Sequence, residues 1–199
     1  MKNFDYLILY DLIDKNKIIK INNFIENNYD SIEDEKDSAT NINNDIKKTS
    51  QVKLIRFKKL KHLINDTLEM ALLINNENFG YNLFSKNDYD NFLLSKYSHK
   101  NKSKYDYHTD GARVPHYDTK LSFIINVSLE TYEGGKFMIH NNDEYEIKEF
   151  TKPGNAILFK SYLNHKVTPV TKGERRSLTY FMKGPKFIWQ IKIGKGINN

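Results

Sequence analysis

Residues that bind metal ions recur in the second half of the chain at positions that a β-sheet can bring together. His108 and Asp110 are separated by the single residue Thr109, and His165 follows much later. Residues i and i+2 of an extended strand point to the same side, so His108 and Asp110 can share one face of one short strand. His165 lies among β-branched residues, which predict a second strand that can be placed alongside. Two imidazoles and one carboxylate can occupy one face of an octahedral Fe(II), leaving three positions for a chelating organic acid and dioxygen. The sequence thus predicts an iron site with the ligands His108, Asp110 and His165.

Arg175 is the candidate anchor for such an organic acid. It opens an extended run in which Arg175, Ser177 and Thr179 share one face, while Arg176 points the other way. A guanidinium beside two hydroxyls suits a carboxylate that is held by two parallel hydrogen bonds. We therefore expect these three residues to bind the carboxylate of a cosubstrate.

A second pair, His116 and Asp118, has the same spacing as His108 and Asp110. We rank it second because Pro115 directly precedes it, which indicates a turn. Three other histidines have no carboxylate two positions later and are assigned no role: His62, His99 and His140.

The stretch from Tyr105 to Gly184 resembles the iron- and 2-oxoglutarate-dependent dioxygenases of the prolyl 4-hydroxylase type, especially the PKHD-type hydroxylases and their phage-encoded relatives. Four blocks carry the resemblance in the right order: Tyr105 to Gly111, Lys120 to Phe123, Tyr132 to Gly135, and His165 to Leu178. The family pattern also places a glycine after the aspartate, as Gly111 does here, which favours Asp110 over Asp118. The resemblance implies a double-stranded β-helix with iron on His108, Asp110 and His165. It also implies that the distal carboxylate of 2-oxoglutarate pairs with Arg175 and that Tyr97 lines the cosubstrate pocket.

The activity that the resemblance implies is hydroxylation of an unactivated C–H bond, with consumption of O₂ and release of succinate and CO₂. Ascorbate is a candidate auxiliary reductant. Asp110 as the third ligand argues against halogenation, since related halogenases have a small residue there. The resemblance suggests a peptidyl side chain of the prolyl type as substrate, and a free amino acid or small metabolite remains an alternative. A non-catalytic metal-holding β-barrel module is the alternative from another class; the pairing of Arg175 with Ser177 argues against it.

The expected fold class is α+β, mainly β: a double-stranded β-helix (jelly-roll, cupin-like) with N-terminal supporting helices. We expect one domain over residues 1–199, with a strand and helices in 1–90, the β-helix core in 91–184 and a tail in 185–199. Within the first part, the patterns predict a strand from Tyr6 to Ile13, a helix capped by Asp14, a loop from Tyr29 to Ser50 and a helix from about Leu54 to Ile74. The loop is a candidate active-site flap.

Composition and charge indicate which ligands, cellular location and partners to expect for this site. The chain has no cysteine, which excludes disulfides and thiolate ligands. No apolar run approaches the length of a membrane span, and the start of the sequence is unlike a signal peptide, so we expect a soluble cytoplasmic protein. The net charge is +6, and a basic run extends from Lys47 to Lys61. Because lysine is abundant throughout and the run falls on a predicted helix, we expect a solvated face and no nucleic-acid partner.

Overall fold

The computed structural model describes residues 4–34, 48–110 and 115–187. Its helices are α1 (Lys15–Asn27) and α2 (Phe57–Ile74), and a short π-helical segment, Asn75–Phe79, continues α2. The first strands are β1 (Tyr6–Leu9), β2 (Glu33–Asp34), β3 (Gln51–Arg56), β4 (Asn91–Ser98), β5 (Tyr105–His108) and β6 (Asp118–Asn126). The later strands are β7 (Glu133–Gly134), β8 (Phe137–Asn141), β9 (Asp143–Glu146), β10 (Ala156–Lys160), β11 (Asn164–Val167), β12 (Val170–Lys172) and β13 (Glu174–Gly184).

The strands form a two-sheet sandwich with a small extra pair. The major sheet has the order β1-β10-β6-β13-β4-β3-β2, the minor sheet has the order β5-β11-β8-β9, and β12 pairs with β7. All the pairings are antiparallel. The inner faces meet in an apolar cluster to which Ile124 and Phe159 contribute from the major sheet and Phe137 from the minor sheet. The sheets do not close into a barrel, and the expected mainly β fold of the double-stranded β-helix type is confirmed.

Helix α1 begins where the sequence predicts. The Asp14 carboxylate accepts a hydrogen bond of 2.7 Å from the backbone N–H of Lys17, which satisfies one of the free donors of the first turn. Ile18, Ile21 and Ile25 recur with the helical period and are buried. They pack in one core with α2 and with the outer face of the major sheet.

Helix α2 begins at Phe57, so the prediction of a helix from Leu54 was wrong at its start. Leu54 lies in β3, which pairs along its whole length with β4. This long-range pairing outweighs the helical spacing that Leu54 shares with Phe57. The basic run that was assigned to a helix is therefore partly strand, and Lys53 is buried there with its ammonium donating to the carbonyls of Tyr29 and Ile32.

Other boundaries also differ from the predictions. The opening strand ends at Leu9 rather than Ile13, because the chain turns through Asp11 at a φ of 47°. Strands β8 and β9 form a hairpin whose turn contains Asn142 at a φ of 65°. Glu133 and Gly134 form β7, which pairs with β12. Residues 35–47 of the predicted loop and 188–199 of the predicted tail lie outside the described residues.

Neither helix in the described part of the chain combines the length and the apolar character that a membrane crossing requires.

Replacement of Ile21 by alanine should destabilise the fold, because the Ile21 side chain is 0% exposed in the core beneath the major sheet. We expect a loss of about 2–4 kcal/mol in the free energy of unfolding, measured by urea denaturation. Ile19→Ala on the same helix is the matched control, since Ile19 is 38% exposed, and it should cost less than about 1 kcal/mol. Equal losses for the two variants would contradict this packing.

Candidate metal centre and cosubstrate pocket

Strands β5 and β11 bring the two candidate imidazole ligands together. His108 and His165 are direct partners in the antiparallel register, and their ring centroids are 4.2 Å apart. The Asp110 carboxylate completes the group, with Oδ1 lying 3.5 Å from Nε2 of His108 and Oδ2 lying 3.5 Å from Nε2 of His165. The three ligand atoms lie within 4.8 Å of one another, which is compatible with a single metal ion between them.

Asp110 reaches this position differently from the prediction. Strand β5 ends at His108, so Asp110 lies just beyond the strand rather than within it. Its backbone N–H donates to the carbonyl of Ser161 at 2.9 Å, which fixes the segment after the strand. The Ser122 hydroxyl donates to Oδ2 of Asp110 at 2.6 Å. A backbone contact and a side-chain contact therefore hold the carboxylate towards the imidazoles.

Both imidazoles present Nε2 to the centre. Nδ1 of His108 lies 2.8 Å from the carbonyl oxygen of Asp106, and Nδ1 of His165 lies 2.9 Å from that of Leu163. A carbonyl oxygen only accepts hydrogen bonds, so Nδ1 carries the proton and a neutral ring keeps its lone pair on Nε2. Such hydrogen bonds fix ring orientation and raise ligand basicity at metal sites.

Burial sets the charge state of the site. Burial lowers the pKa of His165 to about 4, against an opposing effect of Asp110, so His165 is neutral at neutral pH. Burial alone would raise the pKa of Asp110, but the nearby His165 and His108 and the Ser122 hydroxyl outweigh it and lower that pKa. A neutral imidazole and an ionised carboxylate are the forms that bind a divalent cation.

The competing pair lies away from this group. His116 is exposed, and the Asp118 carboxylate accepts from the backbone N–H of Phe187 and from the ammonium of Lys120. These contacts, with the Phe187 N–H first, lower the pKa of Asp118. Among the described residues, the group of possible metal ligands contains His108, Asp110 and His165 without this pair.

Arg175 lies on β13 at the wall of the cavity that contains these ligand atoms. The cavity has a volume of about 470 Å³ and lies between the two sheets. Arg175 is 1% exposed, and its Nη1 donates to the Ser177 hydroxyl at 3.4 Å, while its Nε has no hydrogen-bond partner. No carboxylate of the described residues forms an ion pair with it. A buried, partly unsatisfied guanidinium beside a cavity fits an anionic ligand.

The remaining candidate residues line the same cavity. Thr179 and Ser177 lie on the same face of β13 as Arg175, and Tyr97 is the partner of Arg175 on β4. The Tyr97 ring centroid is 5.0 Å from the guanidinium carbon of Arg175. Arg176 points to the opposite face and bonds Glu26 and Asn22 of α1. The strand alternation is therefore as the sequence indicates.

Two further residues, Ser122 and Gly135, shape the site although the spacing of residues along the chain assigns neither of them a role. Ser122 holds Asp110 as described, and Gly135 makes room for Arg175. A Cβ on Gly135 would lie 3.1 Å from Cδ of Arg175 and 2.9 Å from Cγ2 of Val170, at a φ of +57°. Ser122 and Gly135 both lie in sequence blocks that carry the family resemblance, and this is the signal by which the sequence could have indicated them.

Asp110→Ala should abolish stoichiometric binding of Mn(II), a redox-inert substitute for Fe(II), because it removes the one anionic ligand. We expect the dissociation constant from calorimetry to rise by more than about 100-fold. Asp118→Ala is the matched control and should bind Mn(II) like the wild type. The reverse pattern would assign the metal to His116 and Asp118.

Ser122→Ala should weaken Mn(II) binding by about tenfold, because the Asp110 carboxylate loses the donor that orients it. Ser128→Ala removes another buried serine of the major-sheet region, one that bonds the backbone of Arg176, and should leave the metal affinity unchanged. Unchanged affinity in Ser122→Ala would show that Asp110 does not need this contact.

Comparison with known proteins shows which families are similar to this chain in sequence. Residues 92–183 match the family model of the 2OG-Fe(II) oxygenase superfamily. A PKHD-type hydroxylase of Alteromonas mediterranea is 40% identical over 79 residues, which are 36% of this chain and 34% of that protein. The matched part thus spans about a third of the length of this curated relative.

Solved structures share the fold over nearly the whole chain. A prolyl 4-hydroxylase of Pseudomonas putida superposes with a TM-score of 0.67 at 14% identity, covering 92% of this chain and 94% of that one. A viral collagen prolyl hydroxylase of Paramecium bursaria Chlorella virus-1, solved with 2-oxoglutarate, gives 0.64 at 14% identity, with 91% and 97% covered. A prolyl hydroxylase of Trichoplax adhaerens, in complex with a hypoxia-inducible-factor peptide, gives 0.66 at 14% identity, with 89% and 83% covered. Residues 92–183, which carry the ligand group and Arg175, are thus similar in sequence to the 2OG-Fe(II) oxygenase superfamily, and the chain shares the fold of these prolyl hydroxylases.

Proposed function

We propose that this protein is an Fe(II)- and 2-oxoglutarate-dependent dioxygenase that hydroxylates an unactivated C–H bond of a peptidyl side chain, of the prolyl type. Succinate and CO₂ are the expected coproducts. In this proposal His108, Asp110 and His165 hold the iron. Arg175, with Ser177, Thr179 and Tyr97, holds the distal carboxylate of 2-oxoglutarate.

The observation that carries the proposal is the unsatisfied Nε of the buried Arg175 at the wall of the cavity that also contains the metal-ligand group. A metal-holding module without turnover has no use for a buried cation there. The charges also balance, because Fe(II) and the Arg175 guanidinium together cancel the charges of the Asp110 carboxylate and the 2-oxoglutarate dianion. A buried site with zero net charge avoids the large cost of an uncompensated ion.

The side chains of this protein then have distinct tasks. The two imidazoles and the carboxylate would hold the metal, with positions left for the keto acid and dioxygen. Arg175 orients the keto acid by its far end, and the apolar walls at Ile124 and Phe137 limit the access of water. Bound iron supplies the activation of dioxygen, coupled to oxidative decarboxylation of the keto acid.

The fold relatives support a peptide substrate. Three of them are prolyl hydroxylases, and the Trichoplax adhaerens enzyme was solved with a peptide. A free amino acid or small metabolite is the competing substrate class. Ascorbate as auxiliary reductant and the cytoplasm as location stay predictions.

Arg175→Ala should raise the dissociation constant for 2-oxoglutarate by at least about 100-fold in the Mn(II)-loaded protein, because a charge-assisted anchor is lost. Succinate formation under air with Fe(II) should require correspondingly more 2-oxoglutarate. Arg176→Ala is the matched control; it loses contacts with α1 but should keep the 2-oxoglutarate affinity of the wild type.

If only Arg176→Ala lowered the affinity for 2-oxoglutarate, the assignment of Arg175 to the inner face of β13 would be wrong. Metal binding by the wild type without any affinity for 2-oxoglutarate would favour the metal-holding module.

A further inference from the structure

Two side chains that line the cavity, Asn91 and Arg175, have a buried polar atom without a hydrogen-bond partner. Within the described residues, the buried side-chain atoms without a hydrogen-bond partner are Oγ of Ser50, Oδ1 of Asn91 and Nε of Arg175. Asn91 and Arg175 line the same cavity. A buried polar group without a partner is costly, so native proteins keep few of them. The 2-oxoglutarate proposal accounts for Arg175 and leaves Asn91 unexplained.

The sheet register locates Asn91 relative to the candidate metal ligands. On β4 and β13, Phe92 pairs with Tyr180, so the next step places Asn91 beside Phe181. Phe181 in turn pairs with Ser122, whose hydroxyl bonds Asp110. Asn91 is therefore two strands, or about 10 Å, from Ser122, whose hydroxyl bonds the Asp110 carboxylate.

This position is on the opposite side of the cavity from the cosubstrate anchor. Arg175 and Phe181 lie on the same face of β13 but are separated by roughly 20 Å of strand. Asn91 thus lies too far from Arg175 to share a small dianion with it. A ligand that bonds Asn91 would therefore be a different molecule from the dianion at Arg175.

The surroundings of Asn91 indicate what that ligand offers. Leu93 and Leu54 line the cavity beside it together with the charged residues Asp90 and Lys183, and Tyr89, 73% exposed, lies at the outer edge. The terminal torsion of asparagine is broad, so the Asn91 amide can turn towards the cavity at little cost. The Asp90 carboxylate already accepts hydrogen bonds from the Tyr180 hydroxyl and the Asn87 N–H, whereas Oδ1 of Asn91 has no partner and would be satisfied by an N–H donor of a ligand.

We propose that Asn91 is a substrate-recognition residue whose side-chain amide accepts a hydrogen bond from an N–H group of the primary substrate, a backbone amide of a peptide. The inference rests on the proposed function and specifies its substrate. The N–H of a free amino acid lies within a few bonds of its reacting carbon, whereas Asn91 is two strands away from Ser122, which bonds Asp110. A neighbouring residue of a longer chain fits that separation, and the exposed Tyr89 offers it a path out of the cavity.

The test compares the wild type with Asn91→Leu, which keeps the size of the side chain and removes its hydrogen bonding. Each protein is loaded with Mn(II) and 2-oxoglutarate without iron and is used to capture members of a random acetylated hexapeptide library, which are counted by mass spectrometry. Asn91→Asp, which keeps an acceptor of the same size, is the second variant. Asn23→Leu, on the exposed face of α1, is the matched control.

We expect the wild type, Asn23→Leu and, more weakly, Asn91→Asp to enrich a common set of peptides, and Asn91→Leu to lose at least about tenfold of that enrichment. Calorimetry should show that all four proteins bind Mn(II) and 2-oxoglutarate, which excludes misfolding as the cause.

Equal enrichment by Asn91→Leu and the wild type would overturn the role of Asn91. Enrichment of no peptide, together with succinate formation stimulated by one of the twenty free amino acids under Fe(II) and air, would overturn the peptide substrate. Failure of the wild type to bind 2-oxoglutarate would instead overturn the proposed function, and this inference with it.

Discussion

The antiparallel pairing of β5 with β11 is the constraint on which the site depends. It sets His108 directly opposite His165, and a slip of one residue would turn one imidazole to the other face of the sheet. The register is protected by packing, because the rings of Phe137 and Phe159 lie 5.3 Å and 4.8 Å from that of His165. Burial by these rings also keeps His165 neutral, so the contacts that secure the register also prepare the ligand. Asp110 needs separate support because it lies beyond the end of β5, and the Ser161 carbonyl and Ser122 hydroxyl provide it.

Strand β13 connects this centre to the rest of the fold through two adjacent arginines. Arg176 faces outward, where its guanidinium bonds Glu26 and Asn22 of α1, and this fixes the strand against the helix. Arg175, the preceding residue of the strand, faces inward because successive side chains alternate, with its aliphatic stem above Gly135 and its guanidinium near Tyr97. An arginine buried with an unsatisfied donor costs about 1–3 kcal/mol of stability, which an anionic ligand would recover.

The sequence predicts what local spacing determines. The side-chain period of a strand gives the opposite facing of Arg175 and Arg176, and the Asp14 cap gives the start of α1. The start of α2 at Phe57 was missed because β3 pairs with β4, a long-range contact that leaves little local signal. The placement of Asp110 beyond β5, its contact with Ser122 and the position of Asn91 near Phe181 all depend on registers between distant strands. Such contacts are invisible in a single sequence, so residues that support the ligands are harder to find than the ligands themselves.

The proposed function requires one cavity to bind iron and 2-oxoglutarate together, and an anaerobic titration measures this. Fe(II) is added to the metal-free protein, then 2-oxoglutarate, and the visible spectrum is followed for the weak charge-transfer band of a keto acid chelated to Fe(II). We expect a band that saturates at one 2-oxoglutarate per iron and is absent from His165→Ala. Iron binding without such a band in the wild type would contradict the proposed function.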